Sequence, residues 1–238
     1  MNAMPSNSQV SDAFGFRHVF VPASKGHDQT PPLLFLHGTG GDERDLLPLA
    51  GEIAPGAAIL SLRGNVSEND MPRFFRRLAE GVFDEADLRA QTQALAAFID
   101  QACAAYALSR PVAVGFSNGA NIAASLLWLA PENLAGAALW RVMRPLPQAP
   151  GTPLSGKPVL ILAGASDPLI PAARSQELAL ALGEAGADVS LEILPAGHGL
   201  TPADLAITAR FLAGAGKAGA GKAGSGKAGA SEAGAGCS

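Results

Sequence analysis

The chain has 238 residues, with 17 Lys plus Arg against 21 Asp plus Glu and a formal net charge of −4. This mild negative balance, with no basic stripe interleaved with aromatics, argues against nucleic acid as a partner, and no 18-residue apolar run is present to span a membrane. The two cysteines, Cys103 and Cys237, supply no disulfide framework.

The opening residues MNAMPSNSQVSDAFG are polar and lack the charged start and apolar run of a signal peptide. Residues 1–15 therefore read as a flexible N-terminal segment of a cytoplasmic protein. From there, short apolar runs alternate with longer helical patterns. Strands are predicted at 16–21, 33–36, 57–61, 112–114, 135–140, 159–163 and 189–194, and helices at 43–53, 84–107, 119–130, 172–185 and 202–212. Asp84 and Asp87 place negative charge at the start of the longest helix, as its dipole favours. The alternation predicts an α/β fold with a mostly parallel central sheet of about seven strands and helices on both faces. Residues 16–212 form one catalytic domain, large enough to fold without disulfide or metal.

From residue 213 the sequence becomes AGAGKAGAGKAGSGKAGASEAGAGCS. Each glycine costs a helix about 1 kcal/mol relative to alanine, so 213–238 reads as a flexible Gly/Ala/Lys tail. Lys217, Lys222, Lys227 and Cys237 could serve a tether, but a disordered extension or cloning remnant is the preferred reading.

The peptide from Val112 to Ile122 reads as a strand, a G-x-S-x-G turn centred on Ser117, and a helix. A serine that attacks an acyl carbon must project from a sharp turn, and Gly115 and Gly119 relieve the crowding there. The helix that follows directs its free N–H groups toward the serine, so the Asn118 amide can donate to an oxyanion. Serine also needs a base. His198, in Pro195-Ala196-Gly197-His198-Gly199, follows the last predicted strand, at the sheet edge where catalytic groups gather. Asp167 follows the preceding strand and can orient the His198 imidazole. Asp188 and Asp204 are weaker candidates, the latter having a helix-capping explanation. His18 and His27 are expected at the surface. The loop His37-Gly38-Thr39-Gly40-Gly41 offers the Thr39 amide as second oxyanion donor, with His37 bracing it. A phosphate-cradling reading of this loop lacks the GK[ST] ending.

Together LLFLHGTGGDERDLLPLA, GFSNGAN, GASDPLIP and AGHGL resemble the phospholipase/carboxylesterase family of α/β-hydrolases, which includes carboxylesterases and acyl-protein thioesterases. The segment from Arg63 to Val66, with Met71-Pro72-Arg73-Phe74-Phe75-Arg76-Arg77 after it, is most similar to the bacterial MhqD-like branch. The resemblance implies Ser117, Asp167 and His198 as triad and the Thr39 and Asn118 amides as oxyanion donors. Thioesterase members commonly carry Leu at the position of Thr39 and Gln at that of Asn118, changes that backbone donors tolerate.

Between the strands at 135–140 and 159–163 there is room only for a proline-rich loop, so no separate cap domain is expected. Met71, Phe74 and Phe75 are candidate substrate contacts, weighed evenly against a solvated loop or helix with a buried aromatic face. The reading that follows is a serine carboxylesterase acting on small to medium carboxylic esters, with no metal or organic cofactor, a small-molecule ester as partner and a homodimer left open. A thioesterase or lysophospholipase would use the same site; a catalytically silent binding protein would have lost a triad member. A cysteine-dependent lactone hydrolase is excluded as a direct reading because the turn holds serine.

Overall fold

The computed structural model describes residues 9–27, 30–148 and 151–222, with side chains through residue 214. In chain order its elements are β1 (Val10–Ser11), β2 (His18–Val21), β3 (Leu33–Leu36), α1 (Ala50–Ile53), β4 (Ile59–Leu62), β5 (Val66–Glu68), β6 (Met71–Arg73), β7 (Arg77–Ala79), β8 (Val82–Phe83) and α2 (Glu85–Ala105). Then follow β9 (Val112–Phe116), α3 (Asn118–Leu129), β10 (Gly136–Trp140), β11 (Pro158–Gly164), α4 (Ala172–Glu184), β12 (Asp188–Leu194) and α5 (Pro202–Lys222). Eight strands form one sheet in the order β1-β2-β4-β3-β9-β10-β11-β12. β1 and β2 join it antiparallel, and the six strands from β4 to β12 run parallel.

Strand alternation sorts the apolar side chains onto two faces. Leu34, Leu36, Ala113, Leu139 and Ile161 pack under α2, α3 and α4. Leu33, Phe35, Val114, Trp140 and Leu162 pack against α1 and α5. The inner face of α2 carries Leu88, Thr92, Leu95, Phe98, Ile99 and Ala102, a helical spacing, and Asp84 caps its start by accepting from Asp87 N–H at 3.1 Å. Helix α3 lies between α2 and the sheet and is buried nearly all round. Thr92 Oγ1 on α2 and Ser125 Oγ on α3 lie 2.9 Å apart, a hydrogen bond between two buried hydroxyls that ties the helices together.

Each of the seven predicted strands is present, and the departures have local causes. Residues 10–11, placed in the flexible segment, instead add an eighth strand beside β2. His18, expected at the surface, is fully buried: its ring bonds Phe16 O and Tyr106 Oη, both at 2.9 Å. The helix expected over 43–53 shrinks to a 3-10 turn at Leu47–Leu49 and α1, because Pro48 has no N–H to donate. Residues 66–83 form two hairpins rather than a loop. α5 continues past Leu212 to Lys222, since extending a formed helix through alanine is far easier than starting one. The tail residues 223–238, Lys227 and Cys237 among them, lie outside the described residues. No helix among the described residues is long and apolar enough to cross a membrane.

Replacing the cap residue, Asp84→Ala, should lower unfolding free energy by about 1 kcal/mol, read as an earlier urea midpoint at unchanged slope.

Candidate active site

Ser117 follows β9 and precedes α3, with φ 52 and ψ −112, a conformation a non-glycine residue holds only under strain. The neighbours make room for it. A Cβ on Gly115 would lie 2.6 Å from Gly119 O, and one on Gly119 only 2.1 Å from Leu36 O. Ser117 N–H donates to Trp140 O at 2.9 Å, tying the turn to β10.

Three side chains predicted from the sequence meet at this edge. His198 Nε2 is 3.1 Å from Ser117 Oγ, and His198 Nδ1 is 2.8 Å from Asp167 Oδ2. The other Asp167 oxygen accepts from Leu169 N–H at 2.8 Å and Ile170 N–H at 3.0 Å. Burial opposes ionisation of Asp167, but the Ile170 amide, His198 and the Leu169 amide together hold its carboxyl below the usual range. Asp188 and Asp204 do not take this position: Asp188 begins β12, and Asp204 pairs with Arg141 inside the protein.

The loop after β3 closes the other side. His37 is buried, with Nδ1 2.6 Å from Gly38 O and Nε2 accepting from Gly64 N–H at 3.0 Å, so it braces the loop as expected. Burial lowers its pKa. Behind it, Glu43 is 2% exposed and accepts from Arg17 Nε at 3.2 Å and Arg63 Nε at 2.5 Å. Burial raises its pKa, but its backbone bond and the two arginines outweigh this and hold the carboxyl low. Thr39 Oγ1 accepts from Arg73 Nη1 at 2.6 Å.

Ser117, His198, Thr39 and Asn118 share a cavity of about 360 Å³. Phe83, Phe116, Met143, Leu169 and Ile170 supply its apolar lining, and Arg73, Arg77, Glu80 and Asn121 further polar groups. Asn118 Oδ1 accepts from Phe74 N–H at 2.7 Å, while its buried Nδ2 has no partner among the described residues. Among those residues, no group of three or more His, Cys, Asp or Glu side chains could hold a metal ion.

The expected contacts Phe74 and Phe75 are not at the cavity. Both are fully buried: Phe74 packs on His37 with ring centroids 4.8 Å apart, and Phe75 meets Phe83 edge-on at 4.9 Å. Burial of two adjacent large rings outweighs their exposure in a wet cleft. Met71, 37% exposed, lies against Gly40 rather than in the lining. The cavity instead takes Arg73 and Arg77 from the hairpins, and Leu169 and Ile170 from the peptide that carries Asp167. The motif marks that peptide, but not which of its side chains face inward.

The model of the dienelactone hydrolase family matches residues 62–213. The Bacillus subtilis protein MhqD, named as a hydrolase, is 49% identical over 171 residues, covering 71% of this chain and 86% of its own. A Bacillus cereus carboxylesterase structure is 46% identical, with a TM-score of 0.82 and coverage of 84% of this chain and 95% of its own. A Mesorhizobium loti carboxylesterase is 35% identical, also with a TM-score of 0.82, covering 88% and 100%. The chain belongs to the dienelactone hydrolase family and is a hydrolase with the α/β-hydrolase fold, similar to carboxylesterases and to MhqD.

A carboxyl held low in the folded state stabilises the protein fully above the ordinary carboxylate range, and that contribution is lost as pH falls through its own lowered value. Glu43→Gln should therefore cost about 1–2 kcal/mol at neutral pH. Denaturant titrations at a series of pH values should show the gap to wild type closing only below the ordinary glutamate range.

Proposed function

We propose that this hydrolase is a serine carboxylesterase acting on small to medium carboxylic esters through an acyl-enzyme. The observation that carries the reading is the continuous line from Asp167 Oδ2 through His198 to Ser117 Oγ, with bonds of 2.8 and 3.1 Å. His198 removes the Ser117 proton as Oγ bonds the ester carbon, and Asp167 stabilises the resulting imidazolium. The oxyanion is met by the amides of Thr39 and Asn118, the latter at the N-terminus of α3. His198 then returns the proton to the departing alkoxide. In the second half His198 takes a proton from water, whose oxygen attacks the acyl carbon, and collapse of that intermediate frees the acid and returns the proton to Ser117.

The cavity supports the substrate size. At about 360 Å³ it falls at the small end of ligand sites. The described residues between β10 and β11 form no helix or strand that could act as a cap. The intact line of three residues weighs against a silent binding protein.

The test is a panel of chromogenic esters and thioesters of graded acyl length. Ser117→Ala should lower kcat by about 10⁵–10⁶-fold and Asp167→Ala by about 10⁴-fold, with a fluorophosphonate labelling wild type at Ser117. Normal ester turnover by Ser117→Ala would refute the nucleophile, and faster turnover of thioesters than of matched esters would move the substrate class.

A further inference from the structure

His198 sits between Gly197 and Gly199, so its loop has little stiffness of its own. Beneath the loop lies Arg141, the residue after β10, with a side chain at 0% exposure. All five of its guanidinium N–H groups are engaged. Nε donates to Gly197 O at 3.0 Å and Nη2 to Gly199 O at 3.0 Å, the two carbonyls on either side of the histidine. Nη1 donates to Leu162 O at 3.3 Å, and the two Nη atoms meet Asp204 Oδ1 at 2.7 Å and Oδ2 at 2.9 Å. Neutralising Asp204 requires only two of these five bonds. Asp204 Oδ2 also accepts from Thr201 N–H at 2.8 Å, fixing the start of α5 where the loop ends. From the opposite side Gly164 meets the loop so closely that a Cβ there would lie 2.3 Å from Gly197 O.

We infer that Arg141 is a positioning residue for the base: its planar fork fixes both carbonyls flanking His198 and so keeps Nε2 in line with Ser117 Oγ. The inference rests on the reading of His198 as general base. A lysine could neutralise Asp204, but its single ammonium cannot span the two carbonyls and the carboxylate together. The left-handed backbone of Arg141, φ 55, with its N–H donating to Leu162 O at 2.8 Å, aims the side chain under the loop rather than along the strand.

The decisive variant is Arg141→Met with Asp204→Asn, which removes the fork without stranding a buried charge and keeps an acceptor for the Thr201 amide. Folding is read from thermal unfolding, and kcat, KM and the pH profile from a chromogenic ester. The folded double variant should lose about 10²-fold in kcat, the scale for a reacting group displaced by about 1 Å. KM should stay within about threefold, and the alkaline plateau should remain depressed, since no change of pH restores the loop. Wild-type kcat in a folded double variant overturns the inference. Should that variant not fold, Arg141→Lys, which keeps the buried cation, decides in its place: reduced kcat at near-normal KM supports the inference, and wild-type kcat overturns it. His198→Ala separates the two readings, because wild-type turnover in that variant removes the general base itself, whatever Arg141 does.

Discussion

The missing side chain at residue 119 sets how near α3 comes to β3. With a Cβ there only 2.1 Å from Leu36 O, the helix could not reach its present depth. At that depth the first amide of α3 and the loop beginning at His37 border one cavity, and Ser117 is lifted between them. The turn at Ser117, the loop beginning at His37 and the loop carrying His198 are separate in sequence. Their mutual placement follows from this one backbone contact and from the parallel register of β3, β9, β10 and β11.

Two buried charges do comparable work on either side of the cleft. Glu43, held by Arg17 and Arg63, secures the loop after β3. Arg141, held by Asp204, lies under the loop after β12. Ions taken out of water are costly unless every donor and acceptor is met, and here the partners come from elements distant in sequence. The irregular loops that border the cleft are thereby tied to the rigid sheet by bonds that tolerate little displacement.

The strands and the line Ser117–His198–Asp167 could be read in the sequence because each rests on local pattern: a strand, its end, and a reactive residue in the next turn. What escaped depends on contacts between distant segments. His18 looks like an edge-strand residue until Tyr106 and the packing of α2 are known. Phe74 and Phe75 look like a substrate wall until the hairpins turn them inward and leave Arg73 and Arg77 at the cavity. Asp204 has an adequate local explanation as a helix cap, which concealed its pairing with Arg141. The extent of α5 is hidden for another reason: the glycine content after residue 212 opposes starting a helix there more than it opposes extending one already formed.

Phe116 and Trp140 are partners across β9 and β10, and each is followed by a non-glycine residue with left-handed backbone, Ser117 and Arg141. Such a conformation costs about 1–2 kcal/mol where a Cβ is present. Glycine would be the easier residue at both sites as far as the backbone is concerned. At Ser117 that change would relieve the strain and remove the hydroxyl beside His198, whereas at Arg141 it would strand the buried Asp204 carboxylate and cost more than the strain it relieves. Attempts to harden this enzyme should therefore leave the ends of β9 and β10 untouched and take their increments from the exposed helix faces.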